Sequence, residues 1–405
     1  MILKTYGWSF GVTAVGLVLA AWYGSGSGTG ALQALALVAI LGVLEVSLSF
    51  DNAVVNATVL QRMSEFWQRI FLTVGIVIAV FGMRLVFPIL LVSVTAGLGP
   101  VETVRLALAG GSPEEPGTYG YQLNEAHPTI AAFGGMFLLM LFLGFVFGEK
   151  EHHWLAPLER LLERAGRLQA VNVVVASAVL LVVAETFATE HGRTVLAAGL
   201  AGMLTYLLVN GLGELFNVEE HAGHDEDAPA GERAEGERAA TPLDGGGAPV
   251  PARGGTSRPT AAAKATGKAA FFLFLYLEVL DASFSFDGVV GAFAITSDPI
   301  VIALGLGIGA MYIRSMTVHL VREGTLAQYP YLENGALWAI GALAVILLLS
   351  IEVEVPEVVT GLVGLAFIVS ALVSSIVHNR RHPEDAHVGT EGGEPAQHEQ
   401  AATGR

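Results

Sequence analysis

Two short stretches of this chain place acids and hydroxyls at helical spacing inside long apolar runs. Residues 44–52 read LEVSLSFDN and residues 280–288 read LDASFSFDG. In register, Glu45 falls on Asp281, Ser47 on Ser283, Ser49 on Ser285 and Asp51 on Asp287. Glu45, Ser49 and Asn52 recur at i, i+4 and i+7 and form one polar stripe, while Glu278, Asp281 and Ser285 form a second. Asp51 and Asp287 point elsewhere on an ideal helix. For all these acids to meet one ion, the Ser-Phe-Asp segment must unwind, or the acids must serve adjacent helices. Every donor is an oxygen, a set that suits manganese, magnesium or calcium better than zinc or copper.

The likeness continues into the following apolar run. Gly75 precedes Arg84 by nine residues, and Gly305 precedes Arg314 by nine. A charge buried in lipid costs on the order of 3 kcal/mol even on lenient insertion scales. Here Glu45, Asp51, Glu278, Asp281 and Asp287 face only Arg84 and Arg314. Pairing among themselves accounts for the arginines and leaves acids over, so protons or a bound cation must compensate. The expected metal ligands are Glu45, Asp51, Asn52, Glu278, Asp281 and Asp287, supported by Ser49, Ser285, Arg84 and Arg314. His127 and His319 read as polar helix-end residues, and EEHAGHDED at 219–227 as a solvated acidic loop. Glu185, near the end of a span, is a second-rank candidate.

The elements that must position these residues are long helices. Of the 405 residues, 53% are hydrophobic and 14% charged, too little charge to cover a soluble domain of this size. The apolar residues come in blocks long enough to cross a bilayer, and backbone in lipid must satisfy itself as helix. Spans are expected at about 8–23, 32–60, 66–96, 128–148, 171–190, 194–216, 269–296, 299–321, 334–353 and 357–377. The fold class is thus an all-α polytopic transmembrane bundle of about ten spans carrying an internal repeat. Lys4 ahead of a short apolar run also fits a cleaved signal peptide, but the repeat needs a partner for this helix. Between spans, Leu155, Leu158, Leu161 and Leu162 share one helical face, with Arg160, Arg164 and Arg167 on the other. This marks an interfacial amphipathic helix near 152–168. Residues 1–218 form the first membrane half and 269–378 the second. Residues 219–268 read as a disordered linker and 379–405 as a disordered tail.

Lys4, Arg62, Arg69, Lys150, Arg160, Arg164, Arg167, Arg322, Arg380, Arg381, Arg405 and the six basic residues of the linker would lie on the side of the N-terminus, against Arg105 and Arg193 opposite. That distribution puts both termini and the linker in the cytoplasm of a multi-pass plasma-membrane protein. An odd number of spans separates the two motifs, so the halves are inverted, and inverted repeats place substrate sites near the midplane. The absence of cysteine excludes thiolate metal sites. No zinc-binding HExxH and no Ser-His pairing supports an intramembrane hydrolase, so the chain reads as no enzyme and holds no permanent cofactor.

At these residues the sequence resembles the TerC family, named for tellurium-resistance protein C, in the branch labelled as a domain of unknown function. The family's signatures are an acid followed by Ser-x-Asp-Asn, and Glu-x-x-Asp-x-x-x-Ser-x-Asp. They correspond to Glu45, Ser49, Asp51 and Asn52, and to Glu278, Asp281, Ser285 and Asp287. The stretches AHPTIAAFGGMFLLM at 126–140 and YPYLENGALWAIGALAV at 329–345 are similar to that branch as well. The resemblance implies metal-ion transport, with manganese efflux as the activity and tellurium resistance as the historical label. Gly288 departs from the pattern, standing where many relatives carry a polar residue. The expected function is therefore a divalent metal-ion transporter, a manganese exporter, whose partners are the lipid bilayer, the metal ion and, on oligomerisation, further copies of itself. The alternative is a membrane scaffold in a metal- or tellurite-stress complex.

Overall fold

The computed structural model describes residues 2–26, 30–111, 114–148, 150, 153–168, 170–187, 191–226, 264–296, 298–322, 328–353 and 355–381. The side chains of Asp51 and Asp287 lie outside the described residues, as do most of the expected linker and all of the tail after Arg381. The described chain is a bundle of helices with no strand; its one bridge joins Met63 to Ala265.

Helix α1 (Ile2–Gly26) is followed by α2 (Ala31–Leu48) and α3 (Phe50–Gln61), which meet at Ser49 with a bend of 54°. The next apolar block runs through α4 (Glu65–Ile70), π-helical stretches at Phe71–Gly75 and Ile78–Val86, and α5 (Phe87–Thr95). It bends by 41°. Pro88 has no N–H to give to the preceding turn, which accounts for the register change where π-helix becomes α-helix. After α6 (Pro100–Ala109) comes α7 (Tyr119–Phe147), whose first turn is capped by Thr118 Oγ1 accepting from the Tyr121 N–H at 3.2 Å. The span expected from 128 thus begins at Tyr119. Pro128 sits inside the helix, where neighbouring helices tolerate it in a membrane bundle.

Then follow α8 (Ala156–Ala165), α9 (Val171–Thr186), α10 (Gly192–Glu226), α11 (Gly267–Ile295), α12 (Pro299–Arg322), α13 (Leu332–Leu349) and α14 (Glu357–Arg381). Helix α10 continues to Glu226, into the stretch expected to be linker, and α14 continues past 378. Among the described residues, six helices are long and apolar enough to cross a membrane, or eight if each bent pair counts as one span, against the ten expected. Outside that count stand α9, with 16 residues, and α11, with 29.

Large apolar side chains point outward all around the bundle, among them Trp8, Trp22, Leu204, Val358 and Leu362. A water-soluble protein would not expose so continuous an apolar surface. Inside, α7 packs against α9, α10, α11 and α13, while α12 packs against α1, α2 and α3. Helix α1 is locked to α12 by fully buried Ser9, whose hydroxyl lies 2.7 Å from Ser315 Oγ and donates to the Met311 carbonyl.

The packing between the two repeats is reciprocal. The first motif helix pair (α2 and α3) lies on α12, the arginine helix of the second half; α11 lies on the Arg84 stretch of the first. Small residues set the separation. A Cβ at Gly305 would lie 2.5 Å from Leu41 Cβ, and one at Gly309 would lie 2.4 Å from Glu45 Cβ and Cγ. Such small-residue contacts let membrane helices approach closely. Gly305→Ala and Gly309→Ala are each expected to destabilise the protein by about 1–3 kcal/mol through overpacking. Gly11→Ala, with nothing within 4 Å, is expected to be neutral. Thermal unfolding of the detergent-purified variants measures the contrast.

One end of the bundle is knotted together by polar contacts. Arg62 pairs with Glu333 at 3.2 Å, Ser64 N–H donates to Ala265 O at 2.9 Å, and Asn379 Nδ2 donates to Gln328 O at 2.7 Å. Trp338 Nε1 donates to Glu159 Oε1 at 3.0 Å and Trp154 Nε1 to Ser374 Oγ at 3.1 Å, tying α8 to the neighbouring helices α13 and α14.

Candidate functional site: acids of both repeats around one arginine

The two motifs meet inside the bundle. Glu45 near the end of α2 and Asp281 in α11 both approach Arg84, which reaches them from the π-helical stretch of the first half. The Arg84 Nη2 group donates to Glu45 Oε1, and Nη1 lies 4.0 Å from Asp281 Oδ2. Nη1 also donates to the Ala79 carbonyl at 2.8 Å, five residues earlier on the same π-helical turn. The wider π-helical turn shifts carbonyls out of ordinary register, and such turns recur at functional sites. Arg84 and Glu45 have side-chain exposures of only 2% each, so little water screens this pair.

The hydroxyls repeat the same contact in both halves. Ser49 Oγ donates to Glu45 Oε1 and Ser285 Oγ to Asp281 Oδ2, each at 3.4 Å and each from one helical turn later. One i, i+4 pair of each expected stripe is therefore in contact, while Asn52 stands beyond the break at Ser49. The backbone treats the two motifs differently. At the first, Ser49 (φ −105°, ψ 23°) breaks the helix and Asp51 falls in the first turn of α3, where a helix N-terminus favours negative charge. At the second, α11 runs unbroken through Asp287. Asn52 is buried beside the break.

Two substitutions between the halves explain most of the remaining asymmetry. Position 278 corresponds to Gly42, and Gly75 to Gly305. Where Gly42 faces the Gly305 carbonyl, Glu278 faces Gly75; a Cβ on Gly75 would come 2.8 Å from Glu278 Oε1. The Glu278 carboxyl is buried near Phe71 and Phe274, and neither oxygen has a hydrogen-bond partner among the described residues. Position 288 corresponds to Asn52. A Cβ on Gly288 would lie 2.9 Å from Glu45 Oε2, so a side chain there would crowd that carboxylate. The departure from the motif is what lets Glu45 lie against α11.

Arg314 does not mirror Arg84. It is half-buried, forms no ion pair among the described residues, and its Nε is buried without a hydrogen-bond partner. Among the described residues no three acidic or histidine side chains converge closely enough to hold a metal ion. Glu45 and Asp281 are thus placed, with Ser49 and Ser285, around one arginine, and Glu278 lies one turn before Asp281, against Gly75. Glu185 is exposed at the end of α9, and the His319 ring stands beside Tyr6, with 6.4 Å between centroids. The burial of Glu159 had no sequence signal: its helix carries charge on most of its turns, and the Trp338 indole that receives this acid comes from a distant helix.

Apolar outer faces around an ionised interior define this protein as an all-α, multi-pass membrane protein. The chain belongs to the family described as "Protein of unknown function (DUF475)", whose model matches residues 50–382. That stretch takes in Asp51, Asn52, Arg84 and the whole second motif, and begins after Glu45 and Ser49. No curated protein and no solved structure matches the chain.

Proposed function

We propose that this protein is a carrier rather than an enzyme, and that it moves a divalent cation, manganese first among candidates, out of the cytoplasm across the plasma membrane. The observation that carries this reading is the surplus of buried acid where the two repeats meet. Arg84 balances one charge, Glu45 and Asp281 supply two, and Glu278 adds a carboxyl with no hydrogen-bond partner among the described residues. A buried carboxylate in that condition is costly unless a proton or cation compensates it. The oxygen-only donor set favours a hard divalent ion; the likeness of the motifs to those of TerC proteins is what favours manganese and efflux.

In this reading Arg84 occupies Glu45 and Asp281 when no cation is present, and the arriving ion competes for them. Asp51, Asn52, Glu278 and Asp287 complete the ligand set. The break at Ser49 and the bend before Arg84 are the kind of helix discontinuity from which transporters with inverted repeats build their ion sites, one repeat then rocking against the other. Carboxylates that bind metal release protons, so proton exchange requires no additional group.

The proposed topology is tested with single cysteines in this cysteine-free chain. The polar contacts that gather residues 62–64, 264–266, 328–333 and 378–379 at one end support a common cytoplasmic side for them. Glu65→Cys is expected to react with an impermeant thiol reagent only from the cytoplasm, and Arg105→Cys only from outside. Labelling of both from the same side contradicts the inverted arrangement. The cation reading itself is tested by the transport measurements described below.

A further inference from the structure

We propose that α8 forms a docking surface for anionic phospholipid headgroups. Its connection leaves α7 at Phe147 and enters α9 at Val171, so a segment between two apolar helices has to lie along the membrane surface. Both of its acids are engaged with neighbouring side chains. Glu159 is fully buried and accepts from the Trp338 indole; Glu163 Oε2 lies 2.9 Å from His153 Nε2. That hydrogen bond holds the Glu163 carboxyl below its usual range and keeps it engaged with its neighbour. Arg160 and Arg164 are left exposed one helical turn apart on α8, and Arg167 is exposed in the turn that follows, within electrostatic reach of Glu163; none of the three forms a close ion pair among the described residues.

Beside the arginine stripe, Leu158, Leu161 and Leu168 are 43%, 61% and 66% exposed. With Glu159 buried and Glu163 paired to His153, the exposed residues from 157 to 168 are Pro157, three leucines and three arginines. Leucines enter the boundary between headgroups and acyl chains, while arginines meet phosphate there. A protein partner would need acidic groups of its own at the same depth. Charge complementarity and position both favour the anionic leaflet surface. The inference is independent of the cation reading.

The test uses the full chain with Leu161→Cys carrying a fluorescent label, reconstituted in phosphatidylcholine vesicles. Brominated phosphatidylglycerol or brominated phosphatidylcholine is then titrated in as quencher. Half-maximal quenching is expected at about fivefold lower mole fraction of the anionic lipid, the equivalent of one effective arginine contact. Adding Arg160→Gln, Arg164→Gln and Arg167→Gln together should remove the preference while leaving quenching itself intact. Equal quenching by both lipids before those changes overturns headgroup recognition. Absence of quenching by either lipid overturns the placement of α8 in lipid and points to a protein partner.

Discussion

Arg84→Met is expected to destabilise the folded protein by about 3–5 kcal/mol, because it leaves Glu45 and Asp281 buried without their counter-charge. Methionine fills similar space, so the loss is electrostatic and not a cavity. Adding Glu45→Gln and Asp281→Asn to the same protein should recover most of the loss, since a whole ionic cluster replaced by neutral groups is often as stable as the original. Arg314→Met is expected to have a smaller effect, in keeping with its partial exposure and its lack of an ion pair among the described residues. Denaturant or thermal unfolding of purified protein in detergent separates these outcomes. Stability equal to that of the parent in Arg84→Met would mean that the two repeats do not share their charge through this arginine.

Asp51→Asn and Asp287→Asn should each reduce manganese efflux to the level of cells lacking the protein, with the variants still inserted and folded. Each aspartate occupies the same position of its repeat, six residues after Glu45 or Asp281. Asn keeps the shape and one oxygen but removes the charge that offsets a divalent ion. An uncharged amide is also easier to bury than a carboxylate, so the variants should unfold at or above the parent's temperature when metal is absent. That combination, lost transport with retained stability, distinguishes a ligand from a structural residue. Intracellular manganese measured in cells carrying each variant reads the first half, and thermal unfolding reads the second. Wild-type efflux in either variant removes that aspartate from the site.

Much of the fold could be read from the chain because lipid leaves the backbone few choices. Apolar blocks of the right length have to be helices, and nearly every block became one. The misplaced boundaries fall where local signals are weak in a membrane. Pro128 marked a helix start by soluble-protein rules, yet α7 begins at Tyr119 because neighbouring helices carry the proline within the bundle. For Asp51 and Glu45 to meet one ion, the motif had to unwind or the acids had to serve adjacent helices. The backbone breaks at Ser49 in the first half and runs unbroken through Asp287 in the second.

What spacing could not show is how two matching arginines come to differ. Arg84 and Arg314 follow their glycines by the same interval, and only tertiary packing decides that Glu45 and Asp281 both turn to Arg84. The exchange of Gly42 for Glu278, and of Asn52 for Gly288, is visible in an alignment of the repeats. Its meaning is not, until Gly75 and Glu45 are seen against those positions. In α8 the amphipathic pattern was legible, and its orientation was not: Leu158 and Leu161 face outward while Glu159 lies buried against Trp338.

The central claim is that the acids gathered between the repeats carry a divalent cation across the membrane. Its most direct test is uptake of radioactive manganese by purified protein in liposomes, with the cytoplasmic face outward and magnesium and calcium as competitors. Time-dependent accumulation above that of protein-free liposomes is the result the structure leads us to expect, with saturation as manganese is raised. Accumulation no greater than in protein-free liposomes, for protein verified as inserted and folded, would contradict it.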